Sequence, residues 1–487
     1  MTVRFKRASA SHRRTVLAAA ALVLLGATGC TVGPKYTRPT AEVPADFKET
    51  PANFKQAQPS DALTKGKWWQ VYQDSQLDSL EEQINVSNQS LKSAAAQFEE
   101  SRAAVRISRS ALFPTVGVSP SVGRDEQSVN KPLFNKTLEA RSYNDFLLPA
   151  DVSYELDLWG RVRNTVTASR SEAQASAADL AGVNLSLHAE LALDYFQMRG
   201  LDAQEKLLLS TVDSYQKAVD LTNSRFQAGI TSAVDLAQAQ TILETTRAQA
   251  VDVEVQRSSY EHAIAVLVGQ PASTFHIDPL PLDLLPPALP PGVPSTLLER
   301  RPDIAAAERR VQEANANIGV ARAAYYPLVT LGGTGGFESA VFTTLLQGPS
   351  GFWSLAGQAA ETVFDAGKRR GTNEQARAAY DKSVDDYRQT ILVSFQEVED
   401  NLAALRILED EAAKEDAAVA AARHSVDLSI TRYKGGVTNY LEVTTAETSA
   451  LNDEVTAVTI RTRRIAASVL LIKAIGGGWD KSQIPAV

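Results

Sequence analysis

Apolar and polar side chains alternate along the chain between residues 148 and 158. Three of the five intervening positions are acidic, and the apolar ones are Leu148, Ala150, Val152, Tyr154, Leu156 and Leu158. A period of two predicts a β-strand with one apolar and one acidic face. Its length also suits a tilted strand that crosses a bilayer. Weaker strand patterns lie at residues 115–123, 328–337 and 352–364.

Four strands of this kind are too few to close a barrel, which needs about eight. An open sheet edge is unstable in lipid because its backbone groups have no hydrogen-bond partners there. If the strands span a membrane, several chains must therefore combine to close the sheet. A small soluble sheet is the alternative, and the contrast between the two faces of residues 148–158 counts against it.

A second pattern, with apolar residues at alternating steps of four and three, predicts long helices that pack as coiled coils. One such seam comprises Leu208, Val212, Tyr215, Val219, Thr222 and Phe226. Another comprises Leu451, Val455, Val458, Ile465, Val469 and Ile472. The helices pair as two hairpins, at residues 165–226 with 232–268 and at 371–433 with 440–475. A helix of about 60 residues is about 90 Å long, so each hairpin needs neighbours to bury its apolar surface.

A shorter helix is predicted ahead of each strand region. The first runs from about Leu77 to Ala111, and Pro114 follows it; the second starts after Arg301-Pro302-Asp303 and runs from Ile304 to Ala324, where Pro327 follows. Proline cannot continue a helix, because it lacks the backbone N–H and its ring clashes with the preceding turn.

The elements recur in the same order because the chain contains an internal duplication. At an offset of about 207 positions, Arg225-Phe226-Gln227-Ala228-Gly229-Ile230-Thr231 recurs as Arg432-Tyr433-Lys434-Gly435-Gly436-Val437-Thr438. The predicted order is a leader at 1–29, a tether at 30–76, a first repeat at 77–270, a proline-rich surface connector at 271–298, a second repeat at 299–475 and a tail at 476–487. Within the repeats, the strands are assigned to 113–158 and 327–365 and the hairpins to 165–268 and 371–475.

The leader has the composition of a bacterial signal peptide. A basic head precedes an apolar run at 16–25, which is too short to span a bilayer. Small residues then lead to Cys30, the single cysteine of the chain, and this resembles a bacterial lipoprotein box, although Ala27 stands where leucine is preferred. An ordinary signal peptide with an incidental thiol is the alternative. We expect a covalent lipid on Cys30 and no other cofactor.

Composition and spacing argue against catalysis and against nucleic acid as a partner. Of the 487 residues 44% are hydrophobic but only 7% aromatic, which suits extended helices, and the formal net charge is −8. The histidines lack the spacing of metal ligands or catalytic triads; they are His12, His188, His262, His276 and His424. The glycines at 332–336 lack the lysine and helix of a phosphate-binding loop. We therefore expect neither an enzyme nor a metal site.

Three motifs resemble the NodT-type lipoproteins of the outer membrane efflux protein family, which are TolC-like exit ducts. They are Cys30-Thr31-Val32-Gly33-Pro34-Lys35-Tyr36-Thr37-Arg38-Pro39, Trp68-Trp69, and the segment from Arg301-Pro302-Asp303-Ile304 through Ala316-Asn317-Ile318-Gly319-Val320-Ala321-Arg322-Ala323-Ala324-Tyr325-Tyr326-Pro327. The resemblance covers essentially the whole mature chain. Lys35 departs from the acidic residue usual there.

The resemblance implies a mixed α and β membrane protein that assembles as a homotrimer. Each chain would give four strands to a 12-stranded barrel in the outer membrane of a Gram-negative bacterium, and its long helices to a periplasmic α-helical barrel. Residues 31–75, the connector and the tail would form a belt around the tube. The implied partners are outer-membrane lipid, a periplasmic adaptor protein and an inner-membrane transporter of the resistance-nodulation-division type.

The breaks between the long helices are the candidate sites. Each break holds a glycine suited to a left-handed helix end and a good cap for the returning helix; the docking candidates are Gly229, Thr231, Ser232, Gly436, Thr438 and Asn439. The resemblance places these turns at the periplasmic tip, where adaptors dock. It also implies a gate there, at Asp235, Leu441, Glu442 and Thr445, although Thr445 stands where a second acid is usual. Plain hairpin turns and a solvated helix face are the alternatives.

The predicted function is passive conduction of small molecules, such as drugs or other toxic compounds, to the exterior. The pump supplies the energy, and the tip opens when the partners bind. A structural coiled-coil lipoprotein or a periplasmic adaptor without a pore is the competing interpretation. Against it stand the two hairpins, since adaptors have one, and the alternating strand at 148–158.

Overall fold

A computed structural model of the chain describes residues 31–49, 66–126, 128, 142–287 and 294–487. The predicted signal peptide and Cys30 lie outside the described residues, as do parts of the predicted tether and connector.

A buried asparagine divides the first predicted helix. Helix α1 spans Ser75–Ser87 and helix α2 spans Gln89–Ser110. Between them, the Asn88 side-chain oxygen accepts a hydrogen bond from Leu91 N (2.8 Å), and its amide nitrogen donates to Leu267 O (2.8 Å). The prediction of one continuous helix is therefore wrong, because Asn88 caps the second helix and binds a distant carbonyl at the same time.

The strands form one antiparallel sheet around the segment whose alternation is clearest. Strand β3 is Tyr143–Leu156, and β1, Thr115–Val118, and β2, Ser121–Asp125, both pair with one edge of it. Its other edge pairs with β4, Leu328–Ser339, which pairs in turn with β5, Gly351–Ala360. The sheet thus has four columns, because β1 and β2 follow each other along β3. Among the described residues, no further strand pairs with its two outer edges.

Several strand boundaries differ from those predicted, and β3 begins five residues earlier than expected, at Tyr143. Residues 115–123 form two strands, because Pro120 lies in the gap and has no N–H to give to a ladder. Strand β5 ends at Ala360 because its partner begins at Leu328, the residue opposite, so residues 361–364 are outside the ladder. Strand β3 ends at Leu156, since the next residue, Asp157, accepts hydrogen bonds from the first turn of the following helix.

The remaining helices include two pairs of equal length. Helices α3 to α8 are, in order, Arg161–Gln227, Ala233–Leu267, Pro294–Arg300, Pro302–Ala323, Lys368–Lys434 and Tyr440–Ala474. Both α3 and α7 have 67 residues, and both α4 and α8 have 35. Among the described helices, none is sufficiently long and apolar to cross a membrane. The predicted connector 271–298 is wrong at its end, because helix α5 begins at Pro294. Proline is well suited to the first position of a helix.

The main core lies where α1 and the short 3-10 helix Trp68–Tyr72 pack against the middle of the long helices. Trp68, Ile84, Leu191 and Val469 are buried in it. The coiled-coil seam predicted on α3, from Leu208 to Phe226, continues from this core toward the helical tips. Most of its residues are buried. Phe226, its last residue, is 41% exposed, because α3 ends one residue later.

The segment after Cys30 is not a free tether but packs against the end of the sheet and then along the second repeat. Val32 N donates to Trp159 O (3.2 Å) at the end of the sheet, and Asn315 Nδ2 donates to Pro34 O (3.0 Å). Further along, Glu49 accepts hydrogen bonds from Arg406 on α7. Residues 31–49 therefore follow the molecule from the sheet to the middle of α7.

Candidate functional site at the hairpin tips

Helix α3 ends at the first tip in a left-handed glycine. Gly229 has φ 72°, and Ile230 N donates to Arg225 O (2.8 Å). This is a Schellman ending, which only a residue without a Cβ adopts without strain. Ser232 then caps α4, accepting a hydrogen bond from Asp235 N (3.2 Å), while the Asp235 carboxylate accepts one from Ser232 N (3.1 Å). The first tip thus carries a complete capping box.

The second tip repeats the ending but not the cap. Gly436 has φ 72°, and Val437 N donates to Arg432 O (3.0 Å), as at the equivalent positions of the first tip. Asn439 has the extended backbone of a cap residue, yet its side chain makes no capping hydrogen bond among the described residues. Asn439 thus occupies the predicted cap position without the predicted side-chain bond, and the first N–H of α8 is bonded from the other hairpin instead.

Asp235 provides that connection between the tips. Its Oδ1 accepts a hydrogen bond from Tyr440 N (3.3 Å), the first backbone N–H of α8. Its Oδ2 accepts hydrogen bonds from Thr231 Oγ1 and Ser232 Oγ. Burial acts to raise the pKa of Asp235, but the hydrogen bonds from Thr231, Ser232 and Tyr440 hold the pKa below its ordinary value. The carboxylate therefore holds both turns together in its charged form.

The other residues proposed for the gate lie at the start of α8. Glu442 accepts a hydrogen bond from Thr438 Oγ1 and pairs with Arg432 Nε at 3.3 Å. Thr445 Oγ1 donates to Leu441 O (2.8 Å), and the Leu441 side chain is exposed. Asp235 thus contacts the second tip, whereas Glu442 contacts Thr438 and Arg432 within its own hairpin.

Aromatic residues form a small core behind the turns. Tyr433 and Tyr440 pack edge to face with ring centroids 5.1 Å apart, and the Arg225 guanidinium lies 4.9 Å from the centre of the Tyr433 ring. Arg225 Nη1 also donates to Lys434 O (3.1 Å). The first hairpin therefore contacts the end of α7 as well as the start of α8.

Sequence reasoning assigned no role to Arg225, Arg432 or Glu447. The two arginines recur at the offset of the repeat, which was a usable signal, but the pattern could not show which groups they contact. Glu447 is 6% exposed, and burial raises its pKa to about 7. Helix α8 carries four acidic residues, and residue type alone does not show which of them is buried, so Glu447 was not found from the sequence.

Comparison with known proteins places this architecture in one family. The outer membrane efflux protein family model matches residues 80–270 and 293–477. The chain is 33% identical over 460 residues to the probable efflux pump outer membrane protein SepC of Pseudomonas putida, covering 93% of this chain and 95% of SepC. It is 32% identical over 467 residues to the outer membrane protein OprJ of Pseudomonas aeruginosa, covering 95% and 96%.

A solved structure agrees with these sequence matches. The outer-membrane channel OprN superposes with a TM-score of 0.86 at 29% identity, covering 92% of this chain and 100% of that one. The chain therefore belongs to the outer membrane efflux protein family and is an outer-membrane component of an efflux system.

Proposed function

We propose that three copies of the chain form an exit duct, with a 12-stranded barrel in the outer membrane and a helical tube in the periplasm. The observation that carries this proposal is the four-column sheet, whose two outer edges pair with no further strand in the described ranges, continued by two matched helical hairpins. Lipid offers no partner to such edges, and three sheets of four columns give the twelve strands that a closed barrel of this kind would need. The matched lengths of the two hairpins support six similar units around the tube.

A lipid on Cys30 would anchor the duct at the base of the barrel. Thr31, the next residue, packs so closely on Gly160 that a Cβ there would lie 2.7 Å from the Thr31 methyl group. Gly160 lies between the end of β3 and the start of α3. Thr31 therefore lies beside the sheet, where an acyl chain on the preceding residue would enter the inner leaflet of the outer membrane.

The tips are the surface that an adaptor protein would bind. Apolar side chains point outward on both turns, with Ile230 65% and Val437 72% exposed at equivalent positions. Val234 and Leu441 add a second equivalent apolar pair one turn into the returning helices. Exposed apolar side chains beside free helix ends are typical of protein contact sites. The adaptor would connect the duct to an inner-membrane pump. The substrates would be small toxic molecules, which pass through the duct without energy from this chain.

The Asp235 contact is the natural closing device of the duct. It joins the first hairpin to the start of α8, and an outward movement of the second hairpin would break it first. Glu442 adds a weaker contact within the second hairpin, since its ion pair with Arg432 is largely solvated. Both residues would thus stabilise the closed state, with Asp235 the stronger.

Two measurements on outer-membrane preparations test the duct. A trimeric barrel predicts a band that changes mobility on heating, and planar bilayers should show conductance after the protein is added. A coiled-coil lipoprotein or an adaptor without a pore would give neither. If both are absent from correctly folded protein, the proposal is refuted.

A further inference from the structure

A cavity lies between the two helical hairpins, just behind the tips. It has a volume of about 490 Å³ and is lined by α3, α7 and α8. Much of its wall is apolar, and the apolar lining comprises Ala218, Leu221, Val426, Ile430, Val443, Ala450 and Leu451. Cavities of this size and character are the usual form of small-molecule sites. It is called the inter-hairpin cavity below.

Three buried oxygen atoms in this wall lack hydrogen-bond partners among the described residues: Thr222 Oγ1, Tyr440 Oη and Glu447 Oε2. Their residues are 0%, 2% and 6% exposed. A buried hydroxyl or carboxyl without a hydrogen-bond partner is unfavourable, because it has lost its hydrogen bonds to water. Such a cluster around one cavity favours a ligand that carries hydrogen-bond donors.

The charges around the cavity single out Glu447. Basic and acidic groups at its mouth are exposed to solvent, and they are Lys217, Arg423, Asp427 and Lys434. Glu454 is engaged in an ion pair with Arg423. Tyr215, Tyr433 and Tyr440 complete the titratable groups of the wall. The Glu447 carboxyl is thus the buried acidic group of the cavity wall.

We propose that the inter-hairpin cavity binds an organic ammonium ion, with the ammonium group beside Glu447 and the apolar body against α3 and α7. An ammonium group has three N–H donors, so it can pair with the Glu447 carboxylate and still donate to a neighbouring hydroxyl. A carboxylate in an apolar wall favours a cation over a neutral molecule of the same shape. The ligand would contact both hairpins and so favour their observed arrangement.

Binding should depend on pH through Glu447. Burial raises the pKa of Glu447 to about 7, so the carboxyl is neutral below that pH and charged above it. Burial also raises the pKa of Tyr215 and Tyr440, which keeps both phenols neutral in this range. Affinity for an ammonium ion should therefore increase as the pH rises through 7.

The test is calorimetric titration of the full-length protein, purified from outer membranes in detergent, with 1-adamantylammonium chloride and with neutral 1-adamantanol. We expect the ammonium ion to bind at least tenfold more tightly than the alcohol at pH 8.5, and at least tenfold more tightly at pH 8.5 than at pH 5.5. Glu447→Gln should remove this preference. Asp453→Asn, on the same helix but outside the cavity, should retain it.

Equal affinity for the two compounds would overturn the proposal, because detergent or apolar surface alone could then explain binding. A preference that survives in Glu447→Gln would place the cation elsewhere and would overturn it too. Absence of binding of the ammonium ion at pH 8.5 would also overturn the proposal. Conductance of the same preparation reports on the duct separately, so failure of the duct and failure of this site are distinguishable.

Discussion

The two hairpin tips share a backbone but differ in how their side chains hold it. Thr231 and Thr438 occupy equivalent positions, and each donates a hydrogen bond to the carboxylate four residues later, Asp235 or Glu442. The shorter aspartate also reaches the cap of its own helix and the other hairpin, whereas the longer glutamate reaches back to Arg432. Glutamate has one methylene group more than aspartate. The Asp235 carboxylate makes a contact between the hairpins, whereas the Glu442 carboxylate makes one within its own hairpin.

This difference suggests a fixed first tip and a movable second tip. The first tip has its own capping box, so the start of α4 is capped by residues of its own hairpin. The second tip lacks a side-chain cap and relies on Asp235 of the first. Separation of the hairpins would leave the first tip intact and release the start of α8.

The largest expected effect comes from Gly436→Pro. Proline fixes φ near −65°, while Gly436 has φ 72° and donates its N–H to Tyr433 O (3.0 Å). The second tip must then refold, and we expect export to fall to the level of a strain without the duct while trimers and membrane insertion persist. Drug resistance in a strain that depends on this protein measures the effect. Unchanged resistance would show that the shape of the second tip is unimportant.

The second-largest effect is expected from removal of the Asp235 carboxylate, which we compare with removal of the Glu442 carboxylate. Asp235→Ala removes charged hydrogen bonds to both tips, each contributing about 1.5–3 kcal/mol. Glu442→Ala removes a solvated ion pair that contributes about 0–1 kcal/mol. Both should raise the closed-state conductance in planar bilayers, Asp235→Ala by more. The reverse order would place the main closing contact in the second hairpin, and an unaltered conductance in Glu442→Ala would remove Glu442 from the gate.

Acid should reproduce part of the Asp235→Ala effect without a mutation. The folded-state pKa of Asp235 is lowered, so its stabilisation is present above the unfolded value of about 3.9 and is lost as the pH falls through the folded-state value. Closed-state conductance should therefore rise on acidification below about pH 4 in the wild type and much less in Asp235→Asn. Equal acid responses would assign the titration to other groups.

The repeat in the sequence predicted the helical part of this fold well, since the ends of all four long helices lie within four residues of the predicted positions. Apolar periodicity and glycine determine those ends locally. The break at Asn88 and the missing cap of Asn439 could not be predicted in this way. Both depend on partners that are distant in sequence, Leu267 O for Asn88 and Asp235 for the start of α8.

The smallest expected effect comes from removing the cap side chains, and it directly measures the difference between the two tips. Ser232→Ala removes a capping hydrogen bond worth about 1 kcal/mol, which is about a fivefold change in local opening. Asn439→Ala, at the equivalent position, removes no such bond and should change little. Hydrogen exchange of the first-turn amides of α4 and α8 compares the two variants, with faster exchange expected only in α4 of Ser232→Ala. Equal acceleration in both variants would mean that Asn439 does cap α8, and the second tip would then be held by its own side chains as firmly as the first.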